Sequence, residues 1–179
     1  MTQIGIVYGE SLYELAREES LGKLIGEQLA VLQNAFQAEP DFVRLLSSPS
    51  LTKAERCQIL DESFRGKVHL YLLNFLKILT EKSYIRYFSD CCDAYTARYN
   101  QDNDILTVTA VTAVALSPAQ TDKLTQKLSR ITGKQIALKN RIESTVLGGM
   151  RLDYDGQRLD DTVSHRLDAI RDLLDKTVL

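Results

Sequence analysis

Asn100-Gln101-Asp102-Asn103-Asp104-Ile105-Leu106-Thr107-Val108-Thr109-Ala110-Val111-Thr112-Ala113-Val114 is where this chain changes period. Asn100 through Asp104 offer nothing to a hydrophobic core. Ile105 through Val114 are rich in β-branched side chains and lack a helix cap, so a polar boundary precedes a strand. Upstream the apolar residues recur every three or four positions; downstream they alternate or run together. The chain therefore reads as mainly α, with an N-terminal six-helix bundle over residues 1–104 and a small α/β C-terminal domain over residues 105–179.

Upstream of the boundary, Ile4, Val7, Tyr8, Leu12 and Leu15 mark a first amphipathic helix, and Leu21, Leu24, Ile25, Leu29, Leu32 and Phe36 a second that stops before Glu39-Pro40. Phe42, Leu45 and Leu46 make a short third helix limited by Ser48-Pro49. Thr52-Lys53-Ala54-Glu55 is a capping box that starts a fourth, with Cys57, Leu60 and Phe64 as its buried stripe and Gly66 near its end. His69 to Leu79 is apolar on nearly all sides, which predicts a fifth helix at the centre of the bundle, with His69 at its boundary. Tyr84, Phe88, Cys91, Cys92, Tyr95 and Tyr99 define the sixth, which fades into the polar run.

Downstream, Ser117-Pro118-Ala119-Gln120 opens a helix with an N-cap, a proline at the first position and a glutamine reaching back. Leu124, Leu128 and Ile131 are its expected buried residues and Gly133 its stop. Gln135 to Ile142 and Val146 to Tyr154 read as strands, Asp155-Gly156 as a tight hairpin turn, and a short return strand leads to Asp160-Asp161. Val163, Leu167, Ile170, Leu174 and Val178 lie on one face of a closing helix, expected to pack on its own sheet.

The 179 residues, 44% hydrophobic and 26% charged, are enough for a packed core and too few for an ordinary barrel enzyme. Residues 1–103 carry 11 basic and 14 acidic side chains, the remainder 11 and 10, so neither part has the basic footprint of a nucleic-acid binder. No stretch is long and apolar enough for a membrane span. The first residues, MTQIGIVYGESLYELA, have neither a secretion signal nor a transit-peptide character, so the chain is expected to remain in the cytoplasm. Three cysteines, two of them adjacent, do not suggest a disulfide framework, and His69 and His165 fall at no metal-ligand spacing with them.

Candidates for chemistry are few. Asp161, His165 and Asp168 share a helix face by spacing, which is routine for a solvated surface. Cys91 and Cys92 sit on a buried stripe, where free cysteine packs as a small hydrophobe. Gly148-Gly149 lacks the frame and the Lys-Ser/Thr ending of a phosphate loop, and reads as a bulge or close backbone approach within a strand. No catalytic, cofactor-binding or metal residues are identified, and an interaction protein is favoured by elimination.

The segment Ile136-Ala137-Leu138-Lys139-Asn140-Arg141-Ile142-Glu143-Ser144-Thr145-Val146-Leu147-Gly148-Gly149-Met150-Arg151-Leu152, followed by Leu159-Asp160-Asp161-Thr162-Val163 and Arg166-Leu167, resembles the C-terminal signature of the ATP synthase delta subunit family, whose mitochondrial members are the oligomycin-sensitivity-conferring proteins. Three further landmarks fall in family order: Tyr8 to Ala16, Leu45-Leu46-Ser47-Ser48-Pro49 with Glu55, and Asn74 to Leu79 with Glu81. The family usually has small alanines where Gly9 and Ser11 stand, and an aspartate where Glu143 lies.

The resemblance implies a non-catalytic stator subunit, present once per complex on the cytoplasmic face of the cell membrane. Such a subunit ties the catalytic head to the peripheral stalk, so that rotor torque is resisted and proton flow stays coupled to ATP synthesis. It implies an alpha-subunit N-terminal helix bound between the first and fifth helices, at Tyr8, Ser11, Leu12, Leu15, Phe75, Ile78 and Lys82, and contact of the C-terminal domain with the b subunits. Leu12 and Phe75 fit the core equally well by periodicity alone. The other reading is a helical adaptor of a different multi-subunit complex.

Overall fold

The computed structural model describes residues 1–144, 146, 148–154 and 156–160. The closing helix expected over Val163 to Val178, with Asp161, His165 and Asp168, lies outside the described residues, as does Asp155 of the expected turn. The chain divides into two compact units, Met1–Tyr99 and Asn100–Leu179. It is mainly helical, with a small sheet in the second unit.

The first unit contains α1 (Gln3–Glu18), α2 (Gly22–Ala38), α3 (Pro40–Leu46), α4 (Lys53–Phe64) and α5 (Leu70–Glu81); after a 3-10 turn at Ile85–Tyr87 comes α6 (Phe88–Asp102). Their ends follow local chemistry. Thr2 caps α1 by accepting from the Gly5 amide at 3.2 Å, and Thr52 and Glu55 form the expected reciprocal box at the start of α4. His69 is the N-cap of α5, its Nδ1 accepting from the Tyr71 amide at 3.3 Å. The polar run expected to end α6 only slows it: Asn100 to Asp102 remain helical, because Asn and Asp are tolerated at a solvated helix end.

Ile25, Leu46, Leu60, Leu72, Leu76 and Leu79 are fully buried, each contributing about 1.5–3 kcal/mol relative to exposure. Two expectations about this core need correction. Cys57 and Phe64 are only half-buried while Arg56 is buried, because its guanidinium turns inward and donates to the Leu46 carbonyl at 3.2 Å. And α5 is not apolar on all sides for the sake of burial: Leu70 is 62% and Ile78 45% exposed, so one edge of the helix lacks a neighbour.

α1 and α6 approach closely because α1 presents Gly5 and Gly9 one turn apart. A Cβ at Gly5 would meet Asp90, and one at Gly9 would meet the Cys91 carbonyl oxygen, Ala94 and the Tyr95 amide nitrogen of α6.

In the second unit, β1 (Ile105–Thr112), β2 (Gln135–Ile142), β3 (Met150–Tyr154) and β4 (Gln157–Asp160) form one sheet in the order β2-β1-β3-β4. β1 and β2 are parallel and joined by α7 (Pro118–Thr132); β3 runs antiparallel to both β1 and β4. Ser117 and Gln120 make the expected capping box and Gly133 ends α7 in the left-handed conformation, φ 69°. Leu106, Val108, Ala110, Ile136, Leu138 and Leu152 share the sheet face that packs with Leu124 and Leu128 of α7. Asn140 ties that face together, donating to the Ala110 carbonyl and the Thr112 hydroxyl at 2.9 Å each and accepting from the Leu116 amide at 2.9 Å.

Ile131, expected to be buried, is 71% exposed: Leu124 and Leu128 pack against the sheet's core, and Ile131, one turn further on, does not join them. The Gly148-Gly149 pair lies before β3 and not within a strand: β3 begins at Met150, and Gly149 has φ 81°. Only glycine adopts that angle without strain, so Gly149→Val should destabilise the second unit by about 1–2 kcal/mol. An unchanged denaturant midpoint would refute this.

Candidate functional site

Along α1, Tyr8, Ser11, Leu12 and Leu15 recur at helical spacing, as do Tyr71, Asn74, Phe75 and Ile78 along α5, so each helix turns one stripe in a single direction. The fold sets these stripes side by side. They line a groove of about 470 Å³, with Val7 at its edge.

Leu12 and Phe75 form the floor, 4% and 7% exposed, while Leu15, Ile78 and Val7 form the walls at 39%, 45% and 50%. Tyr8 is half-buried and held by an edge-on contact with Tyr84, ring centroids 5.8 Å apart. The Ser11 hydroxyl donates to the Val7 carbonyl at 2.7 Å, so it presents little unsatisfied polarity. None of the lining residues is charged. An apolar floor with apolar, half-exposed walls and no ionic group suits the nonpolar face of an amphipathic helix, and has no means of doing bond chemistry.

Six of the seven residues proposed from sequence line this groove. Lys82 does not: it is the C-cap of α5, exposed and one turn beyond Ile78, its amide donating to the Ile78 carbonyl at 3.1 Å. Val7, Tyr71 and Asn74 were missed. Tyr71 lies one turn before Phe75, Asn74 one turn before Ile78, and Val7 one turn before Ser11, so helical spacing around the named residues would have found them.

Among the described residues, the alternative chemical candidates do not assemble. No group of His, Cys, Asp or Glu among the described residues could hold a metal ion. Cys91 and Cys92 are buried. Burial pushes the Cys91 thiol up to about 12, with Asp90 adding to the effect, and raises Cys92 as well. Burial, with Glu81 adding to it, raises the Cys57 thiol as well, but Cys57 alone of the three is part-exposed, so in native protein at pH 8 a maleimide should modify Cys57 first, with Cys91 and Cys92 reacting only after denaturation. Mass spectrometry that finds either of them labelled in folded protein would contradict this. No helix among the described residues is long and apolar enough to cross a membrane.

Comparison with known proteins agrees along the whole chain. The family model "ATP synthase delta (OSCP) subunit" matches residues 4–174. ATP synthase subunit delta of Alkaliphilus oremlandii is 31% identical over 172 residues, 96% of each chain. The same-named protein of Lactobacillus delbrueckii subsp. bulgaricus is 32% identical over 175 residues, 94% of each, and that of Synechococcus elongatus 28% over 164 residues, 91% of each. A chain in the cryo-EM structure of the Toxoplasma gondii mitochondrial ATP synthase hexamer shares the fold, with a TM-score of 0.76 over 97% of this chain and 98% of that one at 21% identity. On the match over residues 4–174 and relatives above 30% identity across nearly their full lengths, this chain belongs to the ATP synthase delta (OSCP) subunit family and is a non-catalytic subunit of the ATP synthase stator.

Proposed function

We propose that the groove between α1 and α5 receives the amphipathic N-terminal helix of an ATP synthase alpha subunit, and that the second unit meets the ends of the b subunits of the peripheral stalk. In this reading the six helices of the first unit act as one bundle that grips the head, residues 105–179 grip the stalk, and one copy serves each complex on the cytoplasmic face of the membrane. Tyr8, Leu12, Leu15, Phe75 and Ile78 supply apolar anchors, Ser11 allows close approach, and Lys82, outside the lining and one turn beyond Ile78, meets an acidic residue of the incoming helix.

The observation that carries this is the wet apolar groove itself: side chains from two helices left 39–50% exposed above a buried floor, with no charge among them. Leaving such a concavity open to water is unfavourable by roughly 25 cal/mol for each Å² that a partner would cover. The mechanism is mechanical. The head stays still only while both attachments outlast each catalytic step, which calls for an overall affinity of about nM, roughly −12 kcal/mol. A single peptide need not reach this, because attachment at a second point raises the effective concentration of the first.

The test is a calorimetric titration of the full chain with a synthetic alpha-subunit N-terminal helix. Saturable binding with a Kd at about μM or below, near −8 kcal/mol, is expected. Absence of saturation at tens of micromolar would remove the groove assignment.

A further inference from the structure

α5 enters the groove by its first turn, and that turn is lightly held. Leu72 and Leu73 are buried, but Leu70 before them is 62% exposed, and Tyr71, the first residue of α5 to line the groove, is half-buried. The cap is what fixes this turn. The Nδ1 of His69 accepts from the Tyr71 amide at 3.3 Å, and its ring meets the Tyr71 ring edge-on, centroids 5.0 Å apart. The His69 amide in turn donates to Gln28 Oε1 of α2 at 2.8 Å, which holds the cap in place from the neighbouring helix. One imidazole therefore holds both the main chain and the side chain of a groove-lining residue.

Thr2, Thr52 and Ser117 cap their helices with hydroxyl oxygens, which accept a hydrogen bond at any pH near neutral. An imidazole nitrogen accepts only while it carries no proton, so this cap requires a neutral ring with its hydrogen on Nε2. Histidine is the side chain that changes charge between pH 5 and 8. A proton gained at Nδ1 turns the acceptor into a donor facing the Tyr71 N–H, and places a positive charge at the end of α5 where the backbone dipole is already positive. No carboxylate bonds the ring to offset this. On α2, beside Gln28, Lys23 and Glu27 pair with each other at 4.0 Å; in the segment before the cap, Arg65 pairs with Asp61 at 3.6 Å and Lys67 is exposed.

We propose that His69 is a pH-sensitive positioning residue for the groove: neutral, it caps α5 and holds Tyr71 against the bound helix; protonated, it releases the cap and the helix is gripped less tightly. This rests on the reading of the groove as the alpha-subunit helix site. The sign follows from which form makes the bond: affinity is complete above the pH at which the ring titrates and declines as pH falls through it. The change stays local, because Leu72, Leu76 and Leu79 anchor the rest of α5 in the core whatever the charge on His69. An acidified cell would thus loosen the hold on the head without unfolding the subunit.

The experiment compares the full-length wild type with His69→Asn, since asparagine caps without titrating. Each is titrated with the same synthetic alpha-subunit N-terminal helix at pH 7.5 and pH 5.5, so that ionisation of the peptide and of His165, present in both proteins, cancels in the comparison. Wild-type Kd is expected to rise about three- to tenfold more on acidification than that of His69→Asn, which restores binding at pH 5.5. In the free wild type, the Tyr71 amide resonance should move with the same midpoint as the His69 ring, and should stand still in the variant. An equal pH dependence of Kd in the two proteins would overturn the proposal, as would a Tyr71 amide that ignores the ring's titration. No binding at either pH would overturn the groove reading and this proposal with it, and is told apart from failure of the cap because the Tyr71 resonance is read without peptide.

Discussion

Gly9→Val is expected to lower the melting temperature of the first unit by about 10–20 °C. A Cβ at Gly9 would press on the Cys91 carbonyl oxygen, the Tyr95 amide nitrogen at 3.1 Å and the Ala94 Cβ at 2.8 Å. Two of these are backbone atoms of α6, which cannot rotate away as the end of a side chain can. The helices must then separate, or the main chain must bend around Cys91, Cys92 and Tyr95, all of them at the core. Overpacking of this kind costs about 2–3 kcal/mol, and each kcal/mol moves the midpoint of a unit this size by about 4–8 °C. Gly26→Ala provides the contrast. Its Cβ would meet nothing nearer than the Tyr95 ring at 3.4 Å, an ordinary contact, and removing a mid-helix glycine should stabilise by about 0.5–1 kcal/mol. Circular dichroism melts of the two variants should shift in opposite directions. Equal shifts would show that the α1–α6 approach does not depend on the absence of a side chain.

Ile78→Asp is expected to weaken binding of the alpha-subunit helix by about 3 kcal/mol or more, roughly a hundredfold, while changing stability by less than about 1 kcal/mol. At 45% exposure Ile78 contributes only part of its surface to the subunit's own core, so the fold tolerates its loss. The bound helix would have to strip water from the new carboxylate among uncharged lining residues, and Lys82, one turn on and exposed, offsets only a small part of that cost. Tyr8→Asp should act in the same direction. Phe75→Ala would not separate the two effects, because Phe75 is 7% exposed and its truncation should cost about 3–5 kcal/mol of folding stability. Titration and thermal melting on the same Ile78→Asp preparation decide the matter. A Kd unchanged from wild type would show that the wall formed by Ile78 is not in the interface.

The difference between Ile78 and Phe75 also shows where sequence reasoning stops. Both fall on the apolar stripe of α5, three residues apart, and periodicity treats them alike. Burial distinguishes them, because Phe75 reaches the floor shared with Leu12 while Ile78 stands at the edge where α1 and α5 part. Ile131 is a similar case in the second unit: its spacing from Leu124 and Leu128 placed it inside, but those two pack against the sheet's core and Ile131 is 71% exposed. Arg56 is the reverse, a charged side chain drawn inward by an unpaired carbonyl at the end of α3. None of these outcomes is encoded within one element.

Local chemistry did settle the ends of many elements. The boxes at Thr52–Glu55 and Ser117–Gln120, the proline at the start of α3, the cap at His69 and the glycine after α7 act over three or four residues, so they are complete in the sequence before any packing occurs. The change of period at Ile105, from helix to strand, is equally local. Gly9 marks the limit: the sequence around it calls only for something small, and it is the path of the α6 backbone that excludes a larger side chain. Which apolar residues stay wet, and so which face can hold a partner, depends on what lies across a gap from residues distant in the chain, and that exists only once the helices and strands have been laid against one another.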